Sequence, residues 1–183
     1  MNDEDFERLR RDVELLKDRA EIIDCVARHA RGCDRHDADL LTSTYHADGV
    51  DEHGATVNAG PSYADWANGV HAATSANHLH NVTTQLCEIE GDVAHAESYV
   101  MVTLLSPDET SATVMCGRYL DRLERRDGDW RIALRQATVE LAFTADARLL
   151  QSKYFVAQGY ERGTRDDTDP SYQRPLVASR GVV

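Results

Sequence analysis

"GRYLDRLERRDGDWRIALRQ", residues 117–136, reads as two strands facing each other across Asp127-Gly128. An Asp-Gly pair between two such runs supplies the positive-φ positions of a tight hairpin turn. The period of two then sorts the second run, 129–141, into faces. Trp130, Ile132 and Leu134 share one face, and Ala133, Arg135, Ala137, Val139 and Leu141 share the other. Toward the N-terminus, residues 111–126, 92–105 and 78–90 carry the same signature, joined by a loop at SPDET (106–110) and a turn at EGD (90–92).

The first half of the chain has a different period. Phe6, Leu9, Val13, Leu16, Ala20, Ile23, Ala27 and Ala30 recur at steps of three and four, a narrow apolar stripe on a charged helix that Gly32 is expected to end. The charge of its first half leaves only the stripe to be buried, against a partner subunit. A second, short helix begins at Asp37 as N-cap and carries Leu40, Leu41 and Tyr45. HADGVDEHGATVNAGP (46–61) is turn-rich, with a short strand over Val50–His53. Pro61 suits the first turn of a third helix, with Tyr63, Trp66, Ala67 and Val70 on one face.

Three helices followed by antiparallel strands describe an α+β domain with helices on one face of a curved sheet. A bent sheet covered this way forms a cone whose interior is a small-molecule pocket. The domain spans 1–145. Residues 146–183 add a helix over LLQSKYFVAQGYERG and a polar, proline-containing tail read as an arm or as disordered. There is no internal repeat.

Composition narrows the function classes. The chain has 183 residues, 42% hydrophobic and 28% charged, enough for one stable core. Lys and Arg number 20 against 32 Asp and Glu, a formal charge of -12 that repels phosphate backbones and anionic membranes. No apolar run approaches the roughly 20 residues of a membrane span, and MNDEDFERLRRDVELL has no apolar signal segment. The expectation is a cytoplasmic protein that binds neither nucleic acid nor membrane. Cys25, Cys33, Cys87 and Cys116 are scattered with no C-x-x-C pair, so they read as free thiols rather than a disulfide framework or a zinc site.

Chemistry concentrates around a few polar residues. In NHLHNV (77–82), His78 and His80 share one strand face. Two histidines without a third ligand at a suggestive spacing do not make a metal site. One of them beside a carboxylate makes a proton acceptor, because the carboxylate fixes the tautomer and stabilises the imidazolium. Asp34, near the exit of the first helix, is the natural partner. Arg135, on a mostly apolar face, needs an anion, either a carboxylate such as Glu97 or Asp121 or an oxygen of the substrate. Tyr45 and Tyr99 are candidate hydroxyl donors lining the cavity, and His53 and Trp66 candidate substrate contacts.

Together these residues resemble the SnoaL-like branch of the NTF2-like, scytalone-dehydratase-like superfamily. LKDRAEIIDCVARHARGCDRHDADLLTSTYHADGVDEHG (16–54) is similar to the family's opening helix, its following acidic pair and its aromatic-plus-Asp entry into the first strand. HNVTTQLCEIEGDVAHAESYV (80–100) resembles its His strand and G-D hairpin, and residues 117–136 its closing D-G-x-W hairpin with a terminal Arg. The resemblance covers roughly residues 15–140. It implies a cone-shaped barrel with a curved antiparallel sheet wrapped by three helices, a homodimer or homotrimer, and cofactor-free elimination or isomerisation by an Asp-His dyad. The dyad falls on Asp34 and on His80 rather than His78, which becomes a substrate contact with His53, Trp66 and Tyr99. The strand Arg falls on Arg135 and a cavity tyrosine on Tyr45. The chain departs from the pattern at Thr84, where many relatives have Asn, and lacks a second histidine in the strand before the D-G hairpin.

The expected function is a cofactor-independent, dehydratase-type lyase acting on a hydrophobic cyclic or aromatic molecule, with no metal. The alternatives are an isomerase or an aldehyde-releasing lyase using the same base, or a small-ligand-binding protein without chemistry.

Overall fold

Helix α1 spans Asp3–Arg35 in the computed structural model, which describes residues 2–178. Asn2 accepts the backbone N–H of Asp5, and the Asp5 carboxylate returns to Asn2, a reciprocal cap that satisfies two otherwise orphaned donors. Gly32 does not end this helix. It lies inside the last turn, where a Cβ would come within 2.8 Å of Leu41 Cβ and 2.9 Å of the Leu41 backbone. The glycine is therefore a close-approach point, at which α2 (Ala38–Thr42) crosses the end of α1. His36 caps α1 in the left-handed conformation, at φ 50. Asp37 caps α2 as expected, accepting from Leu40 N–H.

The buried face of α1 also differs from the stripe expected. Ile22, Cys25, Val26, His29, Ala30, Cys33 and Asp34 are buried, whereas Ile23 is 54% exposed. Before Ile22 no residue of α1 is buried, and Phe6, Leu9, Val13 and Leu16 are all about half exposed or more. The stretch through Leu16 is without cover from the rest of the chain.

Tyr45 opens strand β1 (Tyr45–His53) instead of continuing α2. β2 (Thr56–Ala59) returns antiparallel to it. Pro61 then starts α3 (Gly60–Thr74), which buries Tyr63, Ala64 and Ala67 but leaves Val70 exposed. β3 (Asn77–Glu90), β4 (Val93–Leu105), β5 (Ser111–Arg126) and β6 (Asp129–Asp146) follow as a meander. The predicted hairpin at 127–128 forms, with Asp127 and Gly128 both at positive φ.

The six strands make one curved, unclosed sheet in the order β2-β1-β6-β5-β4-β3. The pairing of β1 with β6 is parallel, against the expectation of a wholly antiparallel sheet. The return through α3 and three further strands makes that possible. Ile22, Cys25 and Cys33 of α1, Leu41 of α2 and Tyr63 and Ala67 of α3 form one core with Leu123, Trp130 and Ile132. Burying each large aliphatic chain contributes about 1.5–3 kcal/mol. Asp18 of α1 ties the helix to the last hairpin, accepting from Trp130 Nε1 at 2.9 Å and from Arg125 at 2.8 Å.

Strand β6 does not keep the strict alternation read from its sequence. Leu123 pairs with Ile132 but Arg122 pairs with Leu134, so Ala133 is an extra residue, a β-bulge. The bulge switches the inward set from Trp130 and Ile132 to Ala133 and Arg135, while Val139 and Leu141, farther along the second face, are exposed.

After β6 a 3-10 turn (Arg148–Gln151) leads into α4 (Lys153–Gln158), which Gly159 ends in the left-handed conformation. This helix is shorter than expected. The segment beyond it, read as an arm or disordered, is anchored as an arm. Arg35 donates to the Thr164 carbonyl and to Asp169 (2.7 Å), Arg31 to Ser171, and Tyr172 to Asp37. The last five residues of the tail, 179–183, lie outside the described part. No described helix is long and apolar enough to cross a membrane, and the four cysteines are free.

Candidate functional site

The last turn of α1 and the first residues of β3 meet through two pairs of groups. His78 donates from Nε2 to the carbonyl of Cys33 at 3.0 Å. Two residues on, the His80 ring donates from Nδ1 to Asp34 Oδ1 at 2.7 Å, and the His80 backbone N–H is 3.1 and 3.0 Å from the same two carboxylate oxygens. Because α1 runs on past Gly32, Asp34 sits on the helix and is buried, rather than standing in a turn beyond it. A carboxylate facing Nδ1 requires the proton there, which leaves Nε2 of His80 as the basic nitrogen.

This pair borders a cleft of about 320 Å³, shared with Ala27, Ala30, Arg31, Arg35 and Val82. The volume is at the low end for small-molecule sites, enough for a single ring with substituents.

Deeper between helices and sheet lies a second polar group. Tyr45 donates to Asp51 Oδ2 at 2.7 Å and accepts from His29 Nε2 at 3.1 Å, while His53 Nδ1 bonds the other Asp51 oxygen at 3.0 Å. Burial, followed by the nearby charges of Arg135, His80 and His53, pushes His29 well below the ordinary imidazole range. Burial and the Asp51 carboxylate raise Tyr45 well above its usual value, although Arg135 opposes the shift. Both are neutral donors or acceptors at neutral pH. Trp66 and Tyr63 pack against His53 with ring centroids 5.7 and 5.8 Å away.

Arg135 is fully buried and forms a forked pair with Asp121, 2.7 Å at each contact, above the ring of Tyr119 at 4.1 Å. Of the two anions considered for it, the structural carboxylate is the one it has. Burial works against its charge, but the Asp121 carboxylate more than offsets this. Its Nη1 is buried without a hydrogen-bond partner among the described residues.

The predicted residues therefore separate into groups. Asp34, His78 and His80 come together at the helix exit; Tyr45, His53 and Trp66 belong to the inner network; Arg135 is held by Asp121. Tyr99 belongs to none of them. It is 49% exposed because β4 turns Ser98 and Val100 inward, which sends the residue between them outward.

Sequence reasoning missed Arg31 and Arg35 at the cleft, His29 and Asp51 in the inner network, and His36 and His71, which join His78. The step of three and four through Ile22, Cys25, Val26, His29 and Cys33 was the available signal for His29. His36, His71 and His78 each offer a ligand atom within 4.8 Å of the others, as do Asp34, His78 and His80, so either set has the spacing to hold a metal ion.

The profile of the SnoaL-like domain matches residues 14–136. Among solved structures, a Mycobacterium tuberculosis protein of unknown function, determined as a variant with one Asp replaced by Asn, is 29% identical, with a TM-score of 0.62 over 69% of this chain and 74% of that one. A hexachlorocyclohexane dehydrochlorinase, LinA type 2, is 23% identical, with a TM-score of 0.68 over 73% of this chain and 93% of that one. A protein described as a scytalone dehydratase, from Novosphingobium aromaticivorans, is 17% identical, with a TM-score of 0.64 over 74% and 91%. No curated protein matches the chain significantly. The last two likenesses establish the NTF2-like architecture. With the profile spanning most of the chain and the helix-and-sheet cone in agreement, the chain belongs to the SnoaL-like domain family.

Proposed function

We propose that this protein is a cofactor-independent lyase that eliminates a small leaving group from a hydrophobic, single-ring substrate, with Asp34 and His80 as its catalytic pair. The 2.7 Å contact between His80 Nδ1 and Asp34 Oδ1 at a ring-sized cleft carries this reading. His80 Nε2 takes a proton from carbon, the C–H electron pair becomes the new double bond, and the leaving group departs with its own pair. Asp34 holds the ring and balances the imidazolium. General-base action of this type contributes about 10²–10⁴-fold.

The leaving group needs a cation or donor to receive it. Tyr45 and Arg135 are engaged by Asp51 and Asp121. Arg31 and Arg35 border the cleft itself, and Arg35 is tied to Asp169. Arg31, bonded to the neutral Ser171 hydroxyl rather than to a carboxylate, is the cation assigned to the departing oxygen or halide. Two solved structures whose names denote a dehydrochlorinase and a dehydratase share this fold, which supports elimination over the isomerase and aldehyde-releasing readings.

The test is turnover of a panel of single-ring β-hydroxy ketones and halocyclohexanes, followed by absorbance of the new double bond. His80→Ala should lower the rate about 10²–10⁴-fold with unchanged circular dichroism, and Arg31→Gln should lower it with the fold intact. Undiminished turnover in His80→Ala would remove the dyad. Saturable ligand binding with no turnover of any panel member would instead favour a pocketed binding protein.

A further inference from the structure

We propose that His36, His71 and His78 form a binding site for one divalent transition-metal ion, zinc by the chemistry of an all-imidazole ligand set. The three residues come from the cap of α1, the last turn of α3 and the start of β3, three separate elements converging on one spot. Their ligand atoms lie within 4.8 Å of one another, and the His71 and His78 ring centroids are 3.9 Å apart, with His36 5.4 Å from His78.

Their unused nitrogens are the second observation. His36 Nε2, His71 Nδ1 and His78 Nδ1 are all buried and have no hydrogen-bond partner among the described residues. One orphaned buried nitrogen costs roughly 1–3 kcal/mol. Three in a single cluster, one of them on His78, which is 1% exposed, call for a shared partner. A cation that accepts three lone pairs is such a partner.

The surroundings suit a metal. His78 donates its Nε2 proton to the Cys33 carbonyl, which leaves Nδ1 as a lone pair and fixes the ring, the outer arrangement usual for metal-bound histidine. Burial, then neighbouring imidazoles, hold His71 at about 2, and burial lowers His78 to about 4, so both are unprotonated at neutral pH. Asp34 Oδ1 lies 3.9 Å from His78 Nε2, a negative charge just behind the ligand. Arg165, the nearby cation, contacts the backbone carbonyl of His71 and the hydroxyl of Ser75.

Tetrahedral coordination at about 2.0–2.1 Å per nitrogen asks the three ligand nitrogens to draw together while the His71 and His78 rings, 3.9 Å apart, splay at their far edges. It leaves a fourth position for water or another small ligand. The other candidate set, Asp34, His78 and His80, is already satisfied internally. His80 Nδ1 and Asp34 bond each other, and the nitrogen that His78 turns toward them is bonded to Cys33.

The experiment is calorimetric titration of the chelator-treated full chain with Zn²⁺, alongside the visible absorption of a Co²⁺ adduct. One saturable equivalent is expected, with a tetrahedral cobalt spectrum. His71→Ala and, separately, His36→Asn should each weaken binding at least about 100-fold; asparagine tolerates the left-handed backbone at 36, so that variant keeps the cap. His95→Ala, an exposed histidine on β4, should bind as the unaltered chain does. Absence of a saturable equivalent, or binding unchanged in folded His71→Ala and His36→Asn, overturns the site. The readout is binding rather than turnover, so this outcome leaves the elimination reading standing.

Discussion

One carboxylate, Asp34, accepts both the ring Nδ1–H and the backbone N–H of His80. The same side chain therefore anchors β3 to α1 and sets the tautomer of the proposed base. Removing the charge and removing the anchor are separable. Asp34→Asn keeps an acceptor oxygen for the backbone but loses the charge, so it should retain most of the stability while elimination falls about 10²–10⁴-fold. Asp34→Ala leaves buried donors unmatched and should also destabilise the fold by about 1–3 kcal/mol. Urea unfolding of the two variants beside initial rates separates the effects.

Arg135 and Asp121 form a fully buried ion pair. Removing one partner strands a charge in the core, so Arg135→Met should cost about 3–5 kcal/mol. The double change Arg135→Met with Asp121→Leu should recover most of that loss, because neither charge then remains. Equal destabilisation by the single and double variants in denaturant titrations would contradict this account of the pair.

The C-terminal arm should release in acid. Burial alone would raise the Asp169 carboxyl, but hydrogen bonds from Ser171 and Thr164 and the Arg35 guanidinium outweigh it and hold the group at about 2. A carboxyl depressed in the folded state stabilises the docked arm fully above its free value near 4, and that contribution is lost as the pH falls through about 2. Proteolysis by an acid-active protease should cut the segment after Gly159 increasingly fast across this window. Asp169→Asn should show easier cleavage already at pH 7, with a protease active at neutral pH.

The outer half of α1 presents Phe6, Leu9, Val13 and Leu16 without intrachain cover. Their three-and-four spacing matches a helix seam, and a second copy of the chain, as a homodimer or homotrimer, is the expected occupant. Val13→Glu with Leu16→Glu should shift the protein to a smaller species in sedimentation experiments, with the domain's thermal transition still cooperative. An unchanged sedimentation coefficient would argue against assembly through this face.

Much of this architecture was readable from residue patterns, and the exceptions have physical reasons. Asp127-Gly128 marked its hairpin because both positions need a positive φ that few residues adopt. Pro61 marked the start of α3 because its missing N–H costs nothing there. Gly32 misled because its usual role as a stop was overridden by packing: the backbone of Leu41 comes too close for any side chain. Tyr99 misled although the alternation of Ser98 and Val100 was available to place it outward. The meeting of Asp34 with a histidine of β3 could be proposed from residue type and order, and the choice of His80 over His78 from the family resemblance. The approach of His36 and His71 to His78 could not, because it depends on how the end of α3 is laid against the helix exit, a long-range arrangement with no local signature.

The extra residue at Ala133 divides β6 into two stretches that answer to different neighbours. Upstream, Trp130 and Ile132 are inserted beneath α1; downstream, Arg135 turns in toward Asp121. A strand of the same sequence without the bulge would alternate strictly from Ile132, turning the guanidinium to the outside and carrying Gln136 into the interior. A local irregularity of one amino acid thus decides which charge the centre of the molecule contains.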